Sequence, residues 1–241
     1  SAARGEQSLC LVMGSAGTGK SVCVKTIVSC LTKMGKRVGV SATSGAAAVL
    51  INGMTVHGLA GLKIDLDPTK ANPSRIQALK TMDCIVVDEI SMATSHLMTA
   101  LDKCCRAARG NTKPYGGISL ICLGDPLQLP PVIDKQKAGC GALATSHAGL
   151  PAWSSSCQNF KKFVLTSNKR VSGDWARILG KVRLGGKDLT DEEYEILLAM
   201  FQPLGSCIPL VKSGHIAVCS RTRHVDELNK LCRGDVDPSA V

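Results

Sequence analysis

The sequence predicts an α/β protein built on a parallel sheet with helices over both faces. Strand and helix patterns alternate along the chain. Three strand candidates, "LCLVM" (Leu9 to Met13), "CIVVDE" (Cys84 to Glu89) and "ISLICLGD" (Ile118 to Asp125), are continuous apolar runs. A strand that is apolar at nearly every position has no solvent face, as in a sheet buried from both sides.

The elements follow in order. Leu9 to Met13 is a short buried strand. Helical spacing runs from Lys20 to Met34, and Gly35 ends it, since glycine takes the left-handed backbone of a helix terminus at little cost. "RVGVSA" (Arg37 to Ala42) is a second strand, and a short helix follows over Gly45 to Ile51. Leu97 to Ala108 has helical spacing between the two later apolar strands. Residues 133–158 are rich in Gly, Ala and Ser and read as a loop or small inserted element. "KFVLT" (Lys162 to Thr166) is a further strand. Asp174 to Leu184 and Asp191 to Phe201 are helical, the second with Thr190 as N-cap. "HIAVCS" (His215 to Ser220) looks like the first strand of a new α/β unit, followed by a helix from Val225 to Leu231. The expected division is a first domain over residues 1–160 and a linker with the start of a second domain over 161–241. The chain reads as a piece of a longer protein.

Composition narrows the function. With 44% hydrophobic and 20% charged residues, the 241-residue chain can bury a core or two. Aromatics are 3%, so the core is aliphatic and platforms for stacking bases are scarce. A formal charge of +10 suits a polyanionic partner, although no Lys/Arg run supplies a ready-made basic tail. The twelve cysteines form no CxxC pair, and several sit inside apolar runs, Cys84 and Cys122 among them. They read as buried thiols in a reducing compartment, which argues against a disulfide framework or a zinc site. No apolar run is long enough to span a membrane, and no signal peptide precedes the first motif, so an intracellular setting without a membrane is expected.

"GSAGTGKS" (Gly14 to Ser21) fits the phosphate-binding pattern G-x-x-x-x-G-K-[ST], with a strand before it and a helix after it. Gly14, Ser15, Ala16, Gly17, Thr18 and Gly19 would turn backbone N–H groups onto phosphates. Lys20 would reach the β/γ oxygens, Ser21 would ligate Mg²⁺, and the helix would add its positive end. "CIVVDEIS" supplies the partner: Asp88 for the metal and Glu89 to orient or deprotonate an attacking water. An exposed strand-end carboxylate is the plain alternative for Glu89. "GDPLQLPPV" (Gly124 to Val132) ends the next strand in an acid and an amide on a loop stiffened by Pro130 and Pro131. "NKRV" (Asn168 to Val171) lacks the Asp of a guanine reader, which argues against a GTPase.

Together with "SATSGAAAVLINGMTVHGLAGL" (Ser41 to Leu62), these motifs resemble, in order and approximate spacing, the PIF (petite integration frequency) family of superfamily-one 5′→3′ DNA helicases, relatives of RecD. "LTSNKRVSGDW" resembles that family's motif IV, with Val171 where a Gln usually stands. The resemblance runs from about Leu9 to about Leu231. It implies a P-loop RecA-like parallel β-sheet flanked by helices, with an incomplete second RecA-like domain. It implies an ATP- and Mg²⁺-dependent motor that moves on single-stranded DNA and DNA junctions in genome maintenance, acting as a monomer, with RNA still open. In a eukaryote the nucleus or mitochondrion is implied.

The resemblance also assigns roles. Lys20 and Ser21 take triphosphate and Mg²⁺, Asp88 and Glu89 take metal and water, and Gln128 touches the γ-phosphate. Arg170 acts as an arginine finger reaching that phosphate across a domain cleft. Thr43, Ser44, Thr55, Val56 and His57 lie along the DNA backbone. From residues alone, Thr43 and Ser44 could equally cap a helix, His57 could be structural and Arg170 could be a solvated arginine. Two other functions stay open: an ATP-gated nucleic-acid-binding module without translocation, and a P-loop kinase.

Overall fold

The computed structural model of the chain describes residues 6–131, 151–201, 204–213, 218–219 and 221–233. Six strands are present: β1 (Leu9–Gly14), β2 (Val38–Ala42), β3 (Met54–Thr55), β4 (Cys84–Asp88), β5 (Ser119–Gly124) and β6 (Lys161–Leu165). They form one sheet in the order β3-β2-β4-β5-β1-β6, and every pairing is parallel. Since all strands point the same way, all six C-terminal ends meet one edge. In open sheets of this kind ligands bind at that edge.

Helices cover both faces, as expected. Ile85 and Val87 of β4 and Leu120 and Cys122 of β5 face the larger core. That core is closed by α3 (Val56–Ala60), α4 (Pro73–Thr81) and α5 (Ser95–Arg109) through Leu59, Leu79, Met98 and Leu101. The alternate residues Val86 and Leu123 turn the other way, with Val12 and Ala42. There they meet Val24 of α1 (Lys20–Lys33) and Ala48 of α2 (Gly45–Leu50). Strand side chains alternate between faces, so continuous apolar runs are needed to fill both cores.

The aliphatic composition is realised in these cores, and the thiols join them. Cys84, Cys104, Cys105, Cys122 and Cys157 are buried and free. Burial pushes the Cys84 and Cys105 thiols up to about 12 and the Cys104 thiol up to about 11. All three are protonated at neutral pH and behave as small apolar groups.

The chain divides into two compact units, Ser1–Ala176 and Arg177–Val241, which moves the boundary from the expected 160 to 176. The reason is β6: Lys161 to Leu165 pairs with β1 from Cys10 to Gly14 and is an edge of the first sheet. Of the expected inserted element, 133–150 lies outside the described residues. The rest packs onto the core through Ala152 and Cys157.

The later region carries α6 (Gly173–Arg183), which crosses the boundary, then α7 (Asp191–Leu198), α8 (Leu204–Lys212) and α9 (Thr222–Arg233). Thr190 caps α7 in a reciprocal capping box with Glu193. The Glu193 carboxylate, 3% exposed, also holds Arg177 and, at 2.7 Å, the Lys181 ammonium. The strand expected at His215 to Ser220 lies outside the described residues except for Val218 and Cys219, which have no regular structure. α4 was not expected, yet Asn72 as N-cap with Pro73 at the first helical position is a recognisable start signal.

Candidate active site

β1 ends in Gly14, and the loop to α1 wraps around the ammonium of Lys20. That group donates to the carbonyls of Gly14 at 2.8 Å and Ser15 at 3.1 Å. The buried Thr18 braces the loop by donating its hydroxyl to the Ser15 carbonyl at 2.8 Å. Gly17 (φ +82°) and Gly19 (φ +90°) hold left-handed backbone, as the motif requires. Lys20 to Ser21 opens α1, so a positive side chain and a helix N-terminus converge on one spot.

Two strands away, β4 delivers the acids. Asp88 is 5% exposed, and its carboxylate accepts the Glu89 N–H at 2.9 Å. Burial raises the Asp88 carboxyl above its ordinary range, while that N–H and the Lys20 ammonium pull it back. Glu89 is raised too, first by burial and then by the Asp88 charge, against the pull of Lys20; Asp125 adds a further raising charge. Glu89 also has φ 55° and ψ 43°, a left-handed conformation that is uncommon for a non-glycine residue. Strained backbone of this kind clusters at functional sites.

β5 ends between these two. Gly124 is pressed against the turn after Glu89: a Cβ there would lie 2.9 Å from Ile90 Cγ2 and 3.0 Å from its backbone nitrogen. Asp125, 1% exposed, caps the turn that follows by accepting the Leu127 N–H at 3.2 Å, and its carbonyl accepts the Gln128 N–H at 3.0 Å. Asp125 is thereby a structural cap beside Glu89, and it leaves the exposed Gln128 at the sheet edge. Val132, the last residue of the loop as read from sequence, lies outside the described residues.

The segment expected to face DNA attaches to the same acids. The Thr43 hydroxyl donates to the Glu89 carbonyl at 2.9 Å, and the Thr43 N–H donates to the Asp88 carbonyl at 3.2 Å. Ser44 caps α2 by accepting the Ala47 N–H, and Thr55 caps α3 by accepting the Gly58 N–H. Val56 corrects the expectation of a DNA-facing side chain: it is 0% exposed and lies in the larger core, because it opens α3 with its side chain turned onto the sheet. His57 is half-buried, and burial lowers its pKa, so its contacts at neutral pH are those of a neutral imidazole. A groove of about 680 Å³ runs from Glu89, Ser91 and Gln128 to Ser44, Ala47 and Leu50. Glu89 and Gln128 of the candidate hydrolytic residues thus share one groove with Ser44 of the DNA-facing candidates.

Arg170 corrects a second expectation. Its segment lies in the same compact unit as the phosphate loop, not across a domain cleft, because β6 carries it there directly. A Cβ on Gly17 would lie 2.8 Å from Arg170 Cβ and 2.5 Å from Asn168 Oδ1. Asn168, given no role from the sequence, touches the loop itself: its amide donates to the Ala16 carbonyl at 3.1 Å.

The site suits a nucleoside triphosphate with a hard cation. Ser21, in the first turn of α1, and Asp88, at the end of β4, are oxygen donors at the same sheet edge, the small set that Mg²⁺ takes when phosphate and water supply the rest. Among the described residues no cluster of three or more His, Cys, Asp or Glu side chains could hold a metal by itself.

The sequence profile of the PIF1-like helicases matches residues 1–179. The chain belongs to the PIF1-like helicase family. Within it, the chain is 34% identical over 184 residues to the ATP-dependent DNA helicase PIF1 of Emericella nidulans, covering 71% of this chain and 24% of that protein. It is 38% identical over 133 residues to the ATP-dependent DNA helicase RRM3 of Saccharomyces cerevisiae, covering 52% of this chain and 18% of that one. The PIF1-like chain thus spans a quarter or less of the length of these relatives. Its fold matches that of a Bacteroides Pif1 solved with single-stranded DNA, with TM-score 0.75, 25% identity and coverage of 93% and 52% of the two chains. It also matches the Pif1 helicase of Candida albicans, with TM-score 0.64, 31% identity and coverage of 83% and 45%. Among the described residues no helix is long and apolar enough to cross a membrane.

Proposed function

We infer that the chain is the nucleotide-binding motor unit of an ATP-dependent DNA helicase that moves 5′→3′ along single-stranded DNA and opens duplexes or junctions. The observation that carries this reading is the single edge on which the phosphate loop, the acid pair, Gln128 and the Ser44 groove all meet. The names of the relatives, and the Pif1 structure with DNA, support carrying it to this chain. Lys20 neutralises the β/γ phosphates, and the N-terminus of α1 adds to its field. Ser21 and Asp88 would hold Mg²⁺, which would supply charge neutralisation and offset the cost of burying the Asp88 carboxylate. Glu89 positions a water and takes its proton. Its raised pKa makes it a better base than an ordinary glutamate. Gln128 can both donate to a phosphate oxygen and accept from water, so it senses the γ-phosphate.

Thr43, Ser44, Thr55 and His57 contact the DNA backbone and carry no sequence information. The later segment, expected over 161–241, would be the linker and start of a second RecA-like domain. The protein acts as a monomer inside the cell.

The test is ATP hydrolysis with and without oligo-dT. Wild-type turnover is expected to rise with DNA, and Glu89→Gln to lose turnover while still binding ATP. Turnover indifferent to DNA and dependent on a small acceptor would instead mark a kinase. ATP-gated DNA binding untouched by Glu89→Gln would mark a non-translocating module. Displacement from duplexes with a 5′ but not a 3′ tail tests the direction.

A further inference from the structure

Asn168 makes three hydrogen bonds with one amide group. Its Nδ2 donates to the Ala16 carbonyl of the phosphate loop at 3.1 Å. Its Oδ1 accepts the N–H groups of Arg170 at 2.9 Å and Val171 at 3.1 Å. The orientation of the amide is therefore settled by its partners, since oxygen meets two donors and nitrogen meets a carbonyl. Next to it, the Lys169 N–H donates to the Gly17 carbonyl at 2.7 Å. The turn that carries Arg170 is thus pinned to the phosphate loop by one side-chain and one backbone bond. The absence of a side chain at Gly17 leaves room for both Asn168 and Arg170. The loop holds its own shape independently, through the bonds of Thr18 and Lys20 described above.

We propose that Asn168 is a positioning residue that latches the arginine-bearing turn to the phosphate loop, so that Arg170 is set by the loop that holds the triphosphate. The proposal rests on the ATPase reading for its catalytic meaning, but its geometry can be tested apart from it. An arginine on a flexible turn would lose much of its effect, because charge stabilisation depends on position as much as on presence. The same amide makes a turn and a cross-link, and an aspartate would separate the two. Asn168→Asp keeps the oxygen that shapes the turn and sets a carboxylate oxygen against the Ala16 carbonyl. Asn168→Ala removes both.

Two measurements on the whole chain decide the matter. The first is hydrogen exchange of the Lys169 amide. It is expected to be protected in the wild type and to lose that protection in Asn168→Asp, with β1 amides unchanged. Equal protection in both proteins overturns the latch. The second is steady-state ATP hydrolysis. Asn168→Asp is expected to lower kcat about tenfold, the equivalent of one good transition-state contact, with KM for ATP nearly unchanged. Adding it to Arg170→Ala is expected to cost nothing further, since both act on the same contact. Full additivity in that double variant, or a wild-type kcat in Asn168→Asp, overturns the proposal. Loss of amide protection in a protein that hydrolyses no ATP even as wild type supports the latch and removes the ATPase reading instead.

Discussion

The strand ends of β1 and β4 meet the same backbone problem and solve it differently. Each must turn sharply at the sheet edge, and each uses left-handed backbone to do so. After β1 the residues in that conformation are Gly17 and Gly19, for which it costs little. After β4 it is Glu89, for which it costs roughly 1 kcal/mol. In the proposed mechanism the cradle binds phosphate through backbone N–H groups, so no side chain is needed at Gly17 or Gly19. The turn after β4 would act through a carboxylate, so glycine would not serve there and the strain is retained.

Removing the carboxylate without changing its shape should have the largest effect. Glu89→Gln is expected to slow ATP turnover by about 10²- to 10⁴-fold, the usual range for loss of a general base. Titration with a fluorescent ATP analogue should show binding preserved. Gly17→Ala comes next and should be worse than Gly19→Ala. Both add strain, but only at Gly17 does the new Cβ collide, with Asn168 and Arg170, whereas at Gly19 nothing lies within 4 Å. Thermal denaturation should show a loss of about 1–3 kcal/mol for the first and about 1 kcal/mol for the second. The strain at Glu89 can be read directly by comparing two inactive variants. Glu89→Gly should be more stable than Glu89→Ala by about 1 kcal/mol, the reverse of their usual order at an unstrained site.

The smallest expected effect is on pH dependence. Glu89 is raised by burial and by Asp88, with Asp125 adding to it. A base must be ionised, so turnover should fall as pH drops through this raised value, higher on the scale than for an ordinary glutamate. Asp125→Asn removes one raising charge and keeps an oxygen for the Leu127 N–H. The acid limb of kcat should then move to lower pH, whereas a limb that stays in place would assign the titration to another group. Burial of Asp88 and Glu89 also links pH to stability. With folded values above unfolded ones, both favour folding more as pH falls towards the ordinary carboxylate range and less as it rises through the folded values.

Much of this comparison is visible in the sequence. Continuous apolar runs give the parallel sheet, and glycine spacing gives the cradle, because both depend on residue type at fixed local distances. What is invisible depends on conformation or on long-range pairing. No residue pattern announces that Glu89 takes positive φ. Val56 sits beside two polar residues in the motif expected to face DNA, and only its helix register sends it to the core. Arg170 could be assigned to either domain until β6 paired with β1. Asn168 is one polar residue in a polar stretch, and its partner Ala16 lies 152 positions away.

Gly124 has a mechanical consequence. Gly124 brings no side chain of its own to Ile90, so the end of β5 and the turn after β4 approach too closely to admit even a Cβ. Thr43 hangs from that same turn by its hydroxyl. The segment after β2 is thus joined to the Asp88–Glu89 turn by two hydrogen bonds of Thr43, and that turn is joined to the end of β5 by the close approach of Gly124, so the strained backbone of Glu89 sits where the three segments meet.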